Sequence, residues 1–318
     1  MDEYPLIANH GLVGDLQTAA LVSSEGTVDW WCSPRFDSPS LFAALLDRHR
    51  GGHCRLAVAS DVRGQATVRQ LYLPDTAILF TRFMAPSGVG EVADYMLPDE
   101  SGTPTDRHRL VRVARVMRGC LPFEFECRPR FDYGRARHDL TAGDRRTAVM
   151  HGPGTDLAVQ ATEPVELHPD GADVHARFTL DAGQMAVITL TAYSSGAEVP
   201  RPPNLPESRE DFGATREFWL DWLRTSTYRG RWPQMVNRSA ITLKLLTYAP
   251  TGAPIAAATM GLPEEVGGER NWDYRYTWVR DASLSVRTLV ELGFTREAGA
   301  FRRWMRERLD AGDTASGE

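Results

Sequence analysis

No run of residues in this chain approaches the length of an apolar membrane span, and the opening residues, which include Asp2 and Glu3, lack the uninterrupted apolar core of a secretory leader. A cytoplasmic protein with no membrane partner is therefore expected. Cysteine is scarce: Cys32, Cys54, Cys120 and Cys127 are the only four, and none has metal-ligand spacing, so reduced structural thiols and no metal site are expected. Positive charge is not in excess either. The 36 Lys and Arg residues face 42 Asp and Glu for a net charge of −6, which argues against nucleic acid as the main partner. Arginines do gather between Arg107 and Arg137, but within that stretch Leu121, Phe123, Phe125 and Cys127 alternate with Glu124, Glu126 and Arg128. That alternation reads as a half-buried strand with a mixed-charge outer face rather than a basic patch. The Gly11 and Gly14 pair lacks the strand, turn and helix of a nucleotide loop, so no phosphate-bearing cofactor is implied.

What is present is an ordinary globular composition, 42% hydrophobic and 25% charged, and at 318 residues there is room for about two domains. From Gly11 to about Ala192 short alternating apolar runs recur between Gly, Pro, Asp and Ser, as at 76–84, 110–117, 176–180 and 185–193, which is an all-β pattern suited to a large β-sandwich. Residues 41–46 with Asp47 suggest one helical insertion, capped by Ser38 or Ser40. The proline-rich stretch 194–206 breaks the pattern and predicts a boundary, dividing the chain into 1–199, a linker and helix at 200–228, and a helical part at 229–318. Ser208 with Asp211 reads as the capping box of the linker helix, whose stripe is Phe212, Trp219, Trp222 and Leu223. Further helices are predicted to open at Pro233, at Asp281 as cap with Gly293 as stop, and at Thr295, the last with Ala298, Phe301, Trp304 and Met305 on one side. Three helices cannot close an array on themselves, so uncovered apolar faces and self-association are expected.

The densest chemistry lies at 267–282. Trp272, Tyr274, Tyr276 and Trp278 fall at every second position, so an extended segment would put four rings on one face. Such a face stacks on the C–H faces of a sugar ring, and Asp273, Arg275, Arg280 and Asp281 supply acceptors and donors for its hydroxyls. The competing reading is an aromatic-rich core strand. Arg35, Phe36 and Asp37, following Trp31, form an irregular aromatic and charged run that either reaches the rim of such a pocket or serves the sandwich alone.

Residues 267–282 resemble the active-site opening of the family-15 glycoside hydrolases, which include glucoamylases, glucodextranases and a bacterial branch of trehalases. Residues 14–40, which hold Asp15, Gly26, Asp29, Trp30, Trp31, Cys32, Pro34, Arg35, Asp37 and Ser40, and then 41–47, resemble the trehalase-like domain that precedes the bacterial catalytic barrel. The likeness is strongest at 5–47 and 261–292 and diffuse between them. It implies an N-terminal β-supersandwich, a linker helix and the opening helices of an (α/α)6 barrel, incomplete here. It also implies inverting hydrolysis of an α-glucosidic bond without cofactors, trehalose favoured over maltose or α-glucans, with glucose released. The positions matching Arg280 and Asp281 would bind hydroxyls of the sugar at the cleavage subsite, and those matching Tyr274 and Trp278 would line it; Asp281 can combine this with capping a helix. The family's general acid and base are glutamates on later segments, so they are expected beyond Glu318, and Glu264, Glu265, Glu269 and Asp273 are not nominated. A noncatalytic carbohydrate-binding or scaffolding chain is the alternative.

Overall fold

A computed structural model describes residues 5–265 and 267–311. The alternating runs fold into β1 (His10–Gly14), β2 (Ala19–Ser23), β3 (Thr27–Cys32), β4 (Ser40–Phe42), β5 (His53–Val58), β6 (Thr67–Tyr72), β7 (Leu79–Ala85) and β8 (Gly88–Met96). These are followed by the long β9 (His108–Arg128), then β10 (Asp139–Ala142), β11 (Thr147–His151), β12 (Thr155–Ala161), β13 (His168–Asp170), β14 (Asp173–Asp181) and β15 (Met185–Ser194). All pairings are antiparallel.

β9 organises this layer because its two halves serve different neighbours. Residues 108–119 pair with β8 and β15, continuing to β6–β7 on one side and β12–β11–β10 on the other, whereas residues 120–128 pair with β5 and β14, in the set that reaches β1–β2–β3. The switch falls at Gly119, which has φ +75°, and where an added Cβ would lie 2.1 Å from the carbonyl oxygen of Ser87. One apolar core joins the two sets, with Phe123, Phe125 and Phe178 from one and Phe83, Leu110 and Ile188 from the other. Each such buried side chain contributes about 1.5–3 kcal/mol.

Several arginines of the cluster are paired with carboxylates. Arg112 is fully buried: Nε donates to Asp94 Oδ1 at 2.7 Å, and its other nitrogens donate to the carbonyls of Cys54 and Gly26 at 3.0 and 2.7 Å. Arg109, Arg115, Arg128 and Arg130 pair with Asp211, Glu91, Glu126 and Asp173. The four cysteines are free thiols, Cys120 exposed and the rest buried.

Two local expectations are corrected. Residues 41–46 form no helix: Leu41, Phe42, Ala43 and Leu45 are buried, and backbone bonds from Arg130 N to Leu41 O and from Ala43 N to Gly51 O tie the segment to the residues just after β9 and just before β5. The linker helix α1 (Leu205–Arg224) is capped by Asn204, whose Oδ1 accepts from Glu207 N at 2.9 Å, and not by Ser208 with Asp211. Pro206 sits in its first turn, where a missing N–H costs nothing. Ser208 donates back to Asn204 O, and Asp211 binds Arg109.

The helical part comprises α2 (Pro233–Leu245), the two-residue strands β16 (Thr247–Tyr248) and β17 (Ala253–Pro254), a hairpin of β18 (Met260–Pro263) with β19 (Asn271–Asp273), then α3 (Val279–Glu291) and α4 (Thr295–Asp310). Gly293, at φ +97°, ends α3 as expected. Trp219, Trp222 and Leu223 of α1 meet Ile241 and Leu245 of α2, Leu289 of α3, Phe294, and Leu16 and Ala77 of the strand layer in a second core. The single lysine of the sequence, Lys244, is buried there, 2.5 Å from Glu100 and 2.8 Å from Glu297. Burial works against the Glu297 carboxylate, but Lys244 and the indole N–H of Trp222 hold its pKa below the ordinary range. Val279, Leu284, Val290 and Leu309 of α3 and α4 remain exposed. No helix among the described residues is long and apolar enough to cross a membrane.

Two buried histidines make the strand layer sensitive to pH. His10 Nε2 lies 2.7 Å from Asp29 while Nδ1 faces the carbonyls of Leu6 and Ile7; His108 Nδ1 lies 2.6 Å from Asp15 while Nε2 faces Thr105 O at 3.0 Å. Each ring therefore meets acceptors at both nitrogens, which only the doubly protonated imidazolium satisfies. Burial lowers both pKa values, but the carboxylate partners more than offset it and raise them. A raised folded-state pKa gives stability that is complete below the unfolded value of about 6.5 and is lost as pH climbs through the folded value. Thermal unfolding between about pH 6 and about pH 9 should show the melting temperature falling with pH, and a His10→Gln, His108→Gln double variant should flatten that slope; an unchanged slope would contradict the assignment.

Candidate active site

The hairpin of β18 and β19 delivers the chain to a turn that Asp273 shapes. Its Oδ1 accepts from the backbone N of Arg275 at 3.0 Å, an Asx turn, so the extended run stops after three residues. Four rings on one extended face are thus not what forms. The turn instead gathers three: Tyr274 stacks on Trp278 with centroids 5.8 Å apart and planes at 29°, and Trp272 meets Trp278 edge-on at 6.4 Å. Tyr276 points elsewhere and is exposed. The aromatic-core reading also fails, because Trp272 is 47% exposed and Tyr274 and Trp278 are half-buried, forming an open shelf.

At the end of the shelf α3 begins. Trp278 occupies the cap position without a side-chain cap, its indole N–H donating to Asp273 O, so Asp281 is not the N-cap; it is the third helical residue, in the first turn where the helix dipole favours a carboxylate. Arg280 lies with its guanidinium 5.9 Å from the centre of the Trp278 ring and 3.1 Å from the Asp281 carboxylate. The Arg280 side chain is open to solvent and that of Asp281 partly so, its Oδ2 being buried beside the arginine. Stacking surface, a fork of donors and a carboxylate are therefore within one side chain's reach of each other, the set that binds a ring bearing vicinal hydroxyls.

Arg275 has a different task from the one its neighbours suggested. Only 5% exposed, it folds back so that Nε and Nη2 grip the two oxygens of Asp273 at 2.9 and 2.7 Å, while Nη1 points into the strand layer. There Nη1 meets Ser38 O at 2.9 Å, Phe36 O at 3.3 Å and the Tyr133 hydroxyl at 2.7 Å. Burial works against its charge, yet these acceptors, Asp273 above all, push its pKa above the ordinary arginine value. It is a clamp between the shelf and the loop 33–38. Two further bonds run beside it: Trp30 Nε1 donates to Ala258 O at 2.7 Å, and Ala257 N to Tyr274 O at 2.8 Å.

The loop 33–38 is therefore joined to the aromatic turn through Arg275. Arg35 Nε donates to Asp37 Oδ1 at 2.9 Å and the arginine is 55% exposed; this bond holds the pKa of Arg35 above the ordinary arginine value. Phe36 is buried instead, edge-on to Tyr248. Trp31 is not at any rim. It is fully buried in the core of the strand layer beside Phe42, because β3 turns Trp30 toward the helical part and its neighbour to the opposite face. No pattern in the sequence singles out Tyr133. It lies in a turn where Asp132 (φ 51°), Tyr133 (φ 58°) and Gly134 (φ 78°) are successively left-handed, a conformation costing about 1–2 kcal/mol for each non-glycine residue. Only the Asp and Gly flanking the tyrosine hinted at a turn.

Residues 2–216 match the trehalase-like N-terminal family, and residues 230–314 match glycosyl hydrolases family 15. The chain belongs to the trehalase-like N-terminal family. Among trehalase relatives it is 35% identical to that of Mycolicibacterium smegmatis and 34% to that of Mycobacterium tuberculosis, each alignment covering 94% of this chain and 46% of the relative. A trehalase of Thermoplasma volcanium is 29% identical over 95% of this chain and 47% of its own length. The chain thus spans about half the length of the trehalases it matches. The crystal structure of a bacterial glucoamylase complexed with acarbose superposes on 98% of the chain and 52% of its own, with a TM-score of 0.65 at 11% identity, so the trehalase-like chain has a large antiparallel β-layer followed by helices in a glucoamylase-like fold.

Removing the clamp would leave the Asp273 carboxylate and two inward carbonyls without their partner. Arg275→Met should cost about 3–5 kcal/mol, read as a lower urea midpoint by tryptophan fluorescence; an unchanged midpoint would show that Arg275 holds nothing together.

Proposed function

We propose that this chain supplies part of the sugar site of a trehalase-type glycoside hydrolase, with residues 1–199 as the β-module, 200–228 as the linker and 229–318 as the opening of the catalytic (α/α)6 part. The observation that carries this reading is the shelf of Tyr274 and Trp278 with Arg280 and Asp281 at its end, in a chain similar to trehalases along nearly all its length. In this reading a glucose ring stacks on the shelf, Asp281 accepts from its hydroxyls, Arg280 donates to them, and Arg35 with Asp37 borders the adjoining unit. The substrate is an α-glucoside, trehalose before maltose or α-glucans.

Hydrolysis with inversion needs two carboxyl groups flanking the scissile bond about 6.5–9.5 Å apart, one as acid and one to activate water. Two of the carboxylates around the shelf are engaged otherwise. Asp273 is held by Arg275, and Glu264 accepts from the Trp272 indole N–H at 3.1 Å and faces Arg270. This argues against Asp273 and Glu264 as the acid and base and agrees with the family's use of glutamates on other segments. The same observation favours a second reading for these 318 residues by themselves, binding of glucose units without cleavage.

Titration calorimetry with trehalose and glucose release from trehalose and maltose test both. The chain should bind trehalose without releasing glucose, and Asp281→Ala should weaken binding by roughly tenfold or more, the loss of a hydrogen bond to a charged group. Absence of binding by folded protein would sink the sugar-site reading. Glucose release would move the acid and base to Glu264, Glu265 or Glu269.

A further inference from the structure

The strained turn at Tyr133 is tied to the strand layer through its backbone but sends its side chain out of it. Its backbone N donates to Ser40 Oγ at 3.0 Å, and the ring lies 6.4 Å from Trp30, so the side chain is carried to the border between the strand layer and the helical part. There the hydroxyl accepts from Arg275 Nη1 at 2.7 Å and donates to Ser38 O at 3.3 Å. One phenol thus touches both parties to the clamp: the arginine from the aromatic turn and the carbonyl that closes the loop bearing Arg35 and Asp37. Left-handed backbone at two consecutive non-glycine residues persists where surrounding contacts over-determine it, and such sites concentrate where geometry serves function.

We infer that Tyr133 is a positioning residue that latches the loop 33–38 to the aromatic turn, fixing how far Arg35 and Asp37 stand from the Tyr274–Trp278 shelf and so how well the second sugar unit is held. The inference rests on the sugar-site reading for its functional half only. Arg275 bonds the loop directly at Phe36 O and Ser38 O; the hydroxyl of Tyr133, bonded to both Arg275 and Ser38 O, fixes the register of that contact. Deleting that hydroxyl leaves Ser38 O and Arg275 Nη1 still in contact at 2.9 Å, so the fold survives while the register loosens.

The test is Tyr133→Phe in the full chain, which keeps the ring and removes only the hydroxyl. Hydrogen–deuterium exchange should rise about tenfold in peptides covering residues 33–39 and 272–278 together, with the rest of the strand layer and the melting temperature unchanged. Trehalose affinity in calorimetry should fall by about three- to tenfold, whereas affinity for glucose, which fills the shelf alone, should hold. Unchanged exchange in those two segments, or a uniform rise across the chain, would overturn the latch. Raised exchange with unaltered trehalose affinity would overturn its role in the sugar site while leaving that site standing. If the unmodified chain binds no trehalose, the sugar-site reading fails and with it the functional half, and the exchange result still decides the latch.

Discussion

A buried guanidinium sets the terms for this structure. Arg275 is almost wholly withdrawn from water, and its charge is tolerable only because each nitrogen finds an oxygen: two from Asp273 in its own turn, the others from Phe36, Ser38 and Tyr133 in the strand layer. A lysine could not divide itself in this way, because the ammonium is a point charge and the fork is planar and rigid. The consequence is geometric. The aromatic turn, shaped locally by Asp273, is docked on the loop 33–38 through this one side chain, so the turn and the strand layer are joined.

The same economy recurs at other junctions. Arg112 crosses the middle of the strand layer and collects Asp94 and two carbonyls; Lys244 joins Glu100, from the loop between β8 and β9, to Glu297 of α4; Arg238 donates to Thr76 O and covers the ring of Tyr72. Between them, apolar contact does the rest, with Leu16 and Ala77 from the strands entering the core of Trp219, Trp222 and Leu245. The strand layer is a platform against which α1 to α4 and the aromatic turn are held. Its cross-links are charged and directional, which fixes orientation more tightly than area burial would.

Much of this was legible in residue order, and the failures have identifiable causes. The alternation of Leu121, Phe123, Phe125 and Cys127 against Glu124 and Glu126 appears unchanged as the second half of β9, since a half-buried strand writes its faces into the sequence. Pro233 and Gly293 mark helix ends because their effect is local. Residues 41–46 misled because a continuous apolar run has no period to separate a helix from a buried segment. Trp30 and Trp31 illustrate another limit: adjacent residues on a strand face opposite sides, and which side faces the helical part depends on the register with β2 and β5. At the site, Tyr274, Trp278, Arg280 and Asp281 were found and are together, but Arg275 was grouped with the sugar ligands because nothing in a string of residues shows a side chain folding back. Tyr133, 142 residues away from it, leaves no pattern at all.

Limited proteolysis with trypsin tests the central claim most directly, since arginines lie throughout the chain and only docking protects them. If the aromatic turn and α1 to α4 are held on the strand layer as described, the resistant fragment retains both, with the first cuts confined to the ends and to exposed loops. A stable β-fragment ending in the proline-rich stretch 195–204, with the helical part digested, would mean that the clamp at Arg275 does not join them.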